Sequence, residues 1–585
     1  MSSRCWLRMA VIAAIVALSA TRVRAADGAI DSVMYRSPEL PMPELVRTFP
    51  EGLTELWLKA LERPEADLKS RAALSIAKAH DRGMKGLGQM VPALVRELEQ
   101  PDQHPSVRIA AARALVVLDA KDAAASFSRF LGSSDGDLRE IVEPALAKWD
   151  YAPARADWLS RLEKPPYRRG TILAIRGLAA VGEQKAVPRL RELTLSPNVP
   201  ATVRLEAAKA LGALRRAGSE ADARRLSADA SPHGITDRLA AAALLRHHKG
   251  DETIRLLQTL TRDAEPAVAA AALERLIELD PGLVEPFLDT TLQSADARVR
   301  AHGTDVLIRR PSDHHLRLLA DQLNDPHPGV RGQARRGLQG LAAKAEWRDT
   351  VIREGARVIR GDDWRGLEQA AILLVQLDHK PAASRLLKLL QNDRPEVAVA
   401  AAWGLRRLAV ADTLAGALEY LRATVSGRRT LPAAAEDQQL SQLAQFLGQS
   451  RFAPADPVLR PLVAPSPGGR VGGETRSAAV WALGLIHEGK AVPELVGAFV
   501  ARLSAVVPPD VEDGRVRRMA AISLGRMKTE DGLSMLRKFY TGGRPTLDPV
   551  HNACGWAIEQ ITGEVTPAAG TFEVPQRDWF LTPID

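Results

Sequence analysis

The chain has 585 residues, of which 46% are hydrophobic and 26% charged but only 4% aromatic. That aliphatic content excludes general disorder, and so few aromatics argue against a large β-sandwich or barrel. Two cysteines exclude a disulfide scaffold and any cysteine-rich zinc or iron–sulfur site, and the formal charge of +8 raises the question of a nucleic-acid partner.

The first 25 residues answer that question. Arg4 and Arg8 precede an uncharged run, Met9 to Ala20, which is too short to span a bilayer at about 20 residues per span. Val23-Arg24-Ala25 follows, with small residues where signal peptidase reads, so a secretory signal is expected with cleavage between Ala25 and Ala26. The signal carries four arginines and no acid, so cleavage lowers the charge from +8 to +4. A nearly neutral mature chain does not argue for nucleic acid. The expected product is exported, periplasmic or extracellular, has no transmembrane segment, and keeps one cysteine, Cys554. Residues 26–50 are proline-rich and read as extended.

From about residue 51 one pattern repeats. Arg204 opens Arg-Leu-Glu-Ala-Ala-Lys-Ala-Leu-Gly-Ala-Leu, Arg476 opens Arg-Ser-Ala-Ala-Val-Trp-Ala-Leu-Gly-Leu-Ile, and Arg517 opens Arg-Arg-Met-Ala-Ala-Ile-Ser-Leu-Gly-Arg-Met. Small residues fall at +3 and +4, leucine at +7 and an apolar residue at +10. That is one helical stripe, with small side chains where another backbone comes close. Arg108, Arg238, Arg300 and Arg331 open the same frame, and Ala269, Leu367, Ala398 and His551 open degenerate copies. The step from 238 through 269 and 300 to 331 is constant. Each helix ends in a polar turn, and a second amphipathic helix follows. Pro188 and Pro493 fall in the first turn of such second helices, where a missing N–H costs nothing.

A helix pair of about 30 residues cannot bury its own apolar face, but a stack of pairs can. The pattern resembles HEAT repeats, in the short form named after phycobilisome lyases, with Val-Arg-x-x-Ala-Ala-x-Ala-Leu-Gly followed by Ala-Val-Pro-x-Leu. The resemblance implies an all-α, right-handed α-α superhelix of about fourteen helix pairs. The expected organisation is repeats over 51–424, a degenerate repeat with a Pro/Gly-rich loop over 425–475, repeats again over 476–563, and a C-terminal cap over 564–585. It also implies that the recurring arginines (Arg108, Arg204, Arg238, Arg300, Arg331, Arg476 and Arg517) brace neighbouring repeats through acids or carbonyl ends. In such families the Arg-bearing helix lines the concave surface.

Position +5 leaves the core stripe and is therefore a candidate lining slot. It reads Arg113, Arg176, Lys209, Ala243, Glu274, Asp305 and Arg336, then Ile372, Trp403, Trp481, Ile522 and Trp556. The first half is mostly charged and the second apolar or aromatic. Tryptophan is the residue most enriched at binding hot spots, so Trp403, Trp481 and Trp556, with Ile372 and Ile522, form a candidate partner-binding strip.

Chemistry is hard to find. The adjacent pairs His247-His248 and His314-His315 point apart on a helix and do not chelate well. No catalytic elbow, phosphate loop, haem motif or His-Glu-x-x-His occurs. The expectation is a monomeric, non-catalytic, exported scaffold without cofactor, binding a protein or peptide. The alternative is an enzyme or accessory related to bilin lyases, acting on a cofactor or cofactor-bearing protein.

Overall fold

The computed structural model describes residues 30–164, 167–427, 431–465, 471–576 and 578–581. The expected signal and its cleavage site lie outside the described residues, as do residues 466–470 of the expected Pro/Gly-rich loop. Thirty α-helices make up most of the described structure. The helices repeat a two-helix unit along the chain. β1 (Glu44–Thr48) and β2 (Thr571–Pro575) pair as a two-stranded sheet.

Two compact units divide the chain. The first holds residues 46–306 with the C-terminal residues 573–581. Its helices relevant here are α1 (Leu53–Glu62), α2 (Ala66–Asp81), α3 (Arg168–Ala180), α4 (Ala201–Leu214) and α5 (Ile235–Leu244). Helices that carry the repeated frame stack on one another, and each is backed by the helix that precedes it in the chain. Leu211 at +7 is fully buried, as the stripe requires. Gly212 follows it because α5 arrives there: a Cβ on Gly212 would run into the Ala243 carbonyl oxygen. The turns after frame helices use Asp119 and Asp378 at φ of 51° and 55°, left-handed backbone that aspartate tolerates better than most residues. The C-terminal tail packs on α1 and α2. Trp579 sits edge-on to Trp57 at 5.6 Å, under the cations of Lys78 and Arg82.

The second unit holds residues 30–45 and 307–572. Its frame helices include α6 (Pro395–Leu408), α7 (Ala433–Gln449), α8 (Gly473–Ile486), α9 (Gly514–Met527) and α10 (Pro549–Thr562), each stacked on the next. Gly525 repeats the role of Gly212, with its Cβ position 2.7 Å from Ala557 Cα of α10. The stretch that read as degenerate contains a regular frame helix, α7, whose glutamines obscure the alanine-leucine pattern.

The repeated arginines hold the turns between paired helices. Arg108 donates to the carbonyls of Gln100 and Pro101, Arg300 to Ser294 and Ala295, and Arg331 to Asp325 and Pro326. Arg517 donates to Leu503 O at 3.0 Å. Arg204, Arg238 and Arg476 also reach forward to the acids Asp237, Asp263 and Glu512. These guanidiniums finish helix C-termini, where unpaired carbonyls and the dipole favour a cation.

Candidate functional site

The face of α6, α7, α8 and α9 that leaves the core stripe is covered. The cover is the chain's own N-terminal segment, residues 31–37, which makes a single 3-10 turn at Val33–Arg36 where the sequence reads as wholly extended.

At one end, Asp31 meets α6 and α7. Trp403 donates its indole N–H to Asp31 Oδ1 at 3.0 Å. Arg406 Nη2 donates to the same oxygen at 2.6 Å and to the Asp31 carbonyl at 3.0 Å. Gln442 orients that guanidinium by accepting from Nε at 2.6 Å, and donates its own amide to the Asp31 carbonyl at 2.8 Å. Burial alone would raise the Asp31 carboxyl, but the Trp403 hydrogen bond and the Arg406 charge hold it below its ordinary value.

In the middle, Met34 is fully buried and its N–H donates to Gln445 Oε1 at 3.2 Å, which also accepts from Ser32 Oγ. Tyr35 gives its hydroxyl hydrogen to Glu474 Oε2, and Arg518 Nη2 donates to the Tyr35 carbonyl at 3.0 Å. Burial and the Glu474 carboxylate both push the Tyr35 phenol up. Burial likewise raises Glu474, against the pull of Tyr35 and Arg515.

At the far end, the Ser37 carbonyl accepts from Trp481 Nε1 at 2.6 Å and from Arg526 Nη2 at 2.7 Å. Arg526 lies over the Trp481 ring, 5.0 Å from its centroid, and burial pulls its pKa down to about 10. The face therefore presents two indole N–H groups and three guanidiniums, with Glu474 as the acidic exception.

The residues expected to form a free strip are distributed otherwise. Trp403 and Trp481 are 3% and 1% exposed, so neither is open surface: the resident segment occupies their polar edges. Ile372 and Ile522 are fully buried and offer no area to a partner. At +5 an aliphatic side chain has no polar edge to turn outward and is taken into the packing between repeats. Trp556 is half-buried and lies against Gly525 of the preceding frame helix. Arg406, Gln442, Gln445, Arg518 and Arg526 escaped the sequence reading. One signal was legible: Gln439, Gln442 and Gln445 share a helix face at intervals of three within an otherwise apolar helix.

In the other unit the slot stays charged and mostly exposed. Arg176 of α3 pairs with Glu206 of α4 at 3.1 Å, Lys209 meets the same glutamate at 3.3 Å, and Arg246 meets Glu274 at 3.1 Å. Of the histidine pairs, His248 is fully buried between Glu220 and the Arg215 carbonyl, 2.9 Å from each, and His315 is buried against the Arg310 carbonyl. Cys554 is buried in α10, and burial pushes its thiol up to about 12. Among the described residues no three His, Cys, Asp or Glu side chains converge as a metal site, and no helix is long and apolar enough to cross a membrane.

Among solved structures the chain is similar to Kap95p in its complex with RanGDP, at 14% identity and a TM-score of 0.49, over 88% of this chain and 72% of that one. It is similar to Kap121p bound to Pho4p, at 12% identity and a TM-score of 0.49, over 88% of this chain and 57% of the other. Yeast importin-beta aligns at 14% identity with a TM-score of 0.43, over 87% and 73%. No protein-family model matches the chain, and no curated protein matches it.

Proposed function

We propose that this is an exported, non-catalytic scaffold that holds a protein partner on the frame helices of its HEAT-like stack. One observation carries the reading: α6 to α9 grip a polypeptide segment through indole, guanidinium and amide donors that contact its backbone as well as its side chains. That is peptide-recognition chemistry, with backbone hydrogen bonds for affinity and side-chain contacts for choice. The leader-like pattern of residues 1–25 supports export.

The test is purification of the tagged protein from its native cell envelope, with an absorbance spectrum and mass spectrometry of whatever accompanies it. A colourless protein carrying one polypeptide in near-stoichiometric amount is the expected result. A tightly bound chromophore would overturn the reading in favour of an accessory acting on a cofactor-bearing protein.

A further inference from the structure

We infer that residues 31–37 are an exchangeable occupant of the α6–α9 face, and that the segment which replaces them in a partner is a short stretch with one leading carboxylate and one tight turn. Its carboxylate meets Arg406 and Trp403, an unbranched apolar side chain three residues on takes the place of Met34, and a phenol one residue further meets Glu474. The inference rests on the protein-binding reading and names the chemistry of the partner.

Three observations carry it. First, the face reads general polypeptide features at four backbone groups: the carbonyls of Asp31, Tyr35 and Ser37 and the N–H of Met34. Any chain in this path supplies those groups, so selection falls on side chains: Asp31, Met34 and Tyr35, with the hydroxyls of Ser32 and Ser37 met by Gln445 and Arg526. Second, the hold mixes apolar and polar contact. Met34 is fully buried in the hydrophobic core of its unit, Val33, Tyr35 and Leu40 pack against that core, and the Arg36 side chain stays 78% exposed. A partner must therefore bring an apolar anchor as well as polar groups, and water can solvate the donors while the face is empty. Third, the segment is tethered close by. It continues through Pro38, Pro41 and Pro43 to β1, with Met42 and Leu45 exposed on the way. A short tether holds a ligand at an effective concentration on the order of millimolar, so even weak intrinsic affinity keeps the face occupied. A partner must outcompete that local concentration, which makes the segment a threshold against weak or wrong ligands. Arg406 sets the preference for a carboxylate at the first position, while around the phenol the carboxylates of Glu474 and Asp513 are offset by Arg515 and Arg518.

The probe is a fluorescein-labelled synthetic peptide of residues 26–42, titrated into the mature full chain and followed by anisotropy. A second protein carries Asp31→Arg and Met34→Asp, which release the resident segment and leave the face intact. The released protein should bind the probe at least tenfold more tightly than the unmodified chain. The same peptide with Asp31→Asn, or the released protein with Arg406→Met added, should lose at least tenfold. Equal binding by the two proteins, or equal binding of a scrambled peptide, would place the probe elsewhere and overturn the inference. No binding by a released protein that keeps its helical circular dichroism would make the segment a fixed structural arm. Should that variant not fold, a protease site inserted between Leu40 and Met42 gives a nicked full chain. Isotope-labelled peptide should then replace the nicked segment under native conditions, and replacement only after urea unfolding would overturn the inference. Failure here leaves a co-purifying partner free to use another surface, whereas a bound chromophore removes the reading beneath both.

Discussion

The two units use the same frame helices, and the outward slot, charged through Arg336, changes character from Ile372 onward in the second unit. In the unit of residues 46–306, Arg176, Lys209 and Glu274 are 61%, 56% and 52% exposed at the side chain and pair with neighbouring charges, Arg176 and Lys209 with Glu206 and Glu274 with Arg246. In the other unit Trp403 and Trp481 are buried, and the guanidiniums beside them point into a polypeptide. A charged slot is content with water and needs no occupant. A slot of indole rings and arginines leaves apolar area and oriented donors that are worth more when covered. Slot composition, more than the repeat itself, therefore marks where the chain's own segment is held.

The sharpest way to break that comparison is to truncate the same position in each unit. Trp481→Ala empties a large buried site and should cost about 3–5 kcal/mol, as large-to-small changes of buried aromatics do. It should also release Ser37, seen as new tryptic cleavage after Arg36. Loss of under about 1 kcal/mol in urea unfolding would mean that the indole fills no essential space. Next in size is Gly525→Ala. The added methyl carbon would stand 2.7 Å from Ala557 Cα, and overpacking of this kind costs about 1–3 kcal/mol. A neutral result would show that α9 and α10 can part without penalty.

Much of this was legible in the sequence. The +3, +4 and +7 stripe located the frame helices because burial between repeats demands small and branched apolar residues at fixed phase. The helix α7 was hidden because Gln439, Gln442 and Gln445 replace apolar letters while the backbone stays regular. The occupied face was half legible. Tryptophans at matched phase marked it, yet their hydrogen-bond partners, Asp31 and Ser37, lie 372 and 444 residues away in the chain. No local periodicity encodes that pairing, and the proline-rich composition of residues 26–50 pointed only to an absence of helix.

A smaller effect belongs to the charged slot. Lys209→Ala and Arg176→Ala should each change stability by about 0.2–1 kcal/mol, because exposed ion pairs are screened and entropically loose. The loss should shrink further in 1 M salt, where the screening length is about 3 Å. Unfolding curves at low and high salt check this, and a salt-independent loss above that range would mean that the slot is packed.

The smallest expected effect is on pH dependence, and its sign separates the two carboxyls at this contact, Asp31 of the resident segment and Glu474 of the face. Asp31 is held below its ordinary value of 3.8 when docked. Its contribution is therefore complete above 3.8 and is lost as pH falls through the lower docked value. Glu474 is raised by burial above its ordinary value of 4.5, so its contribution is present at low pH and fades as pH rises through the docked value. The stability difference between the unmodified chain and Asp31→Asn should be flat from about pH 5 to 8 and shrink in more acid solution. The difference for Glu474→Gln should change in the opposite sense, over a window beginning near 4.5. Tryptophan fluorescence reports both, since Trp403 and Trp481 line the face. Matching slopes of one sign for the two variants would mean that the segment is not held by Asp31 as a carboxylate, and the contrast between a covered and a solvated slot would lose its electrostatic half.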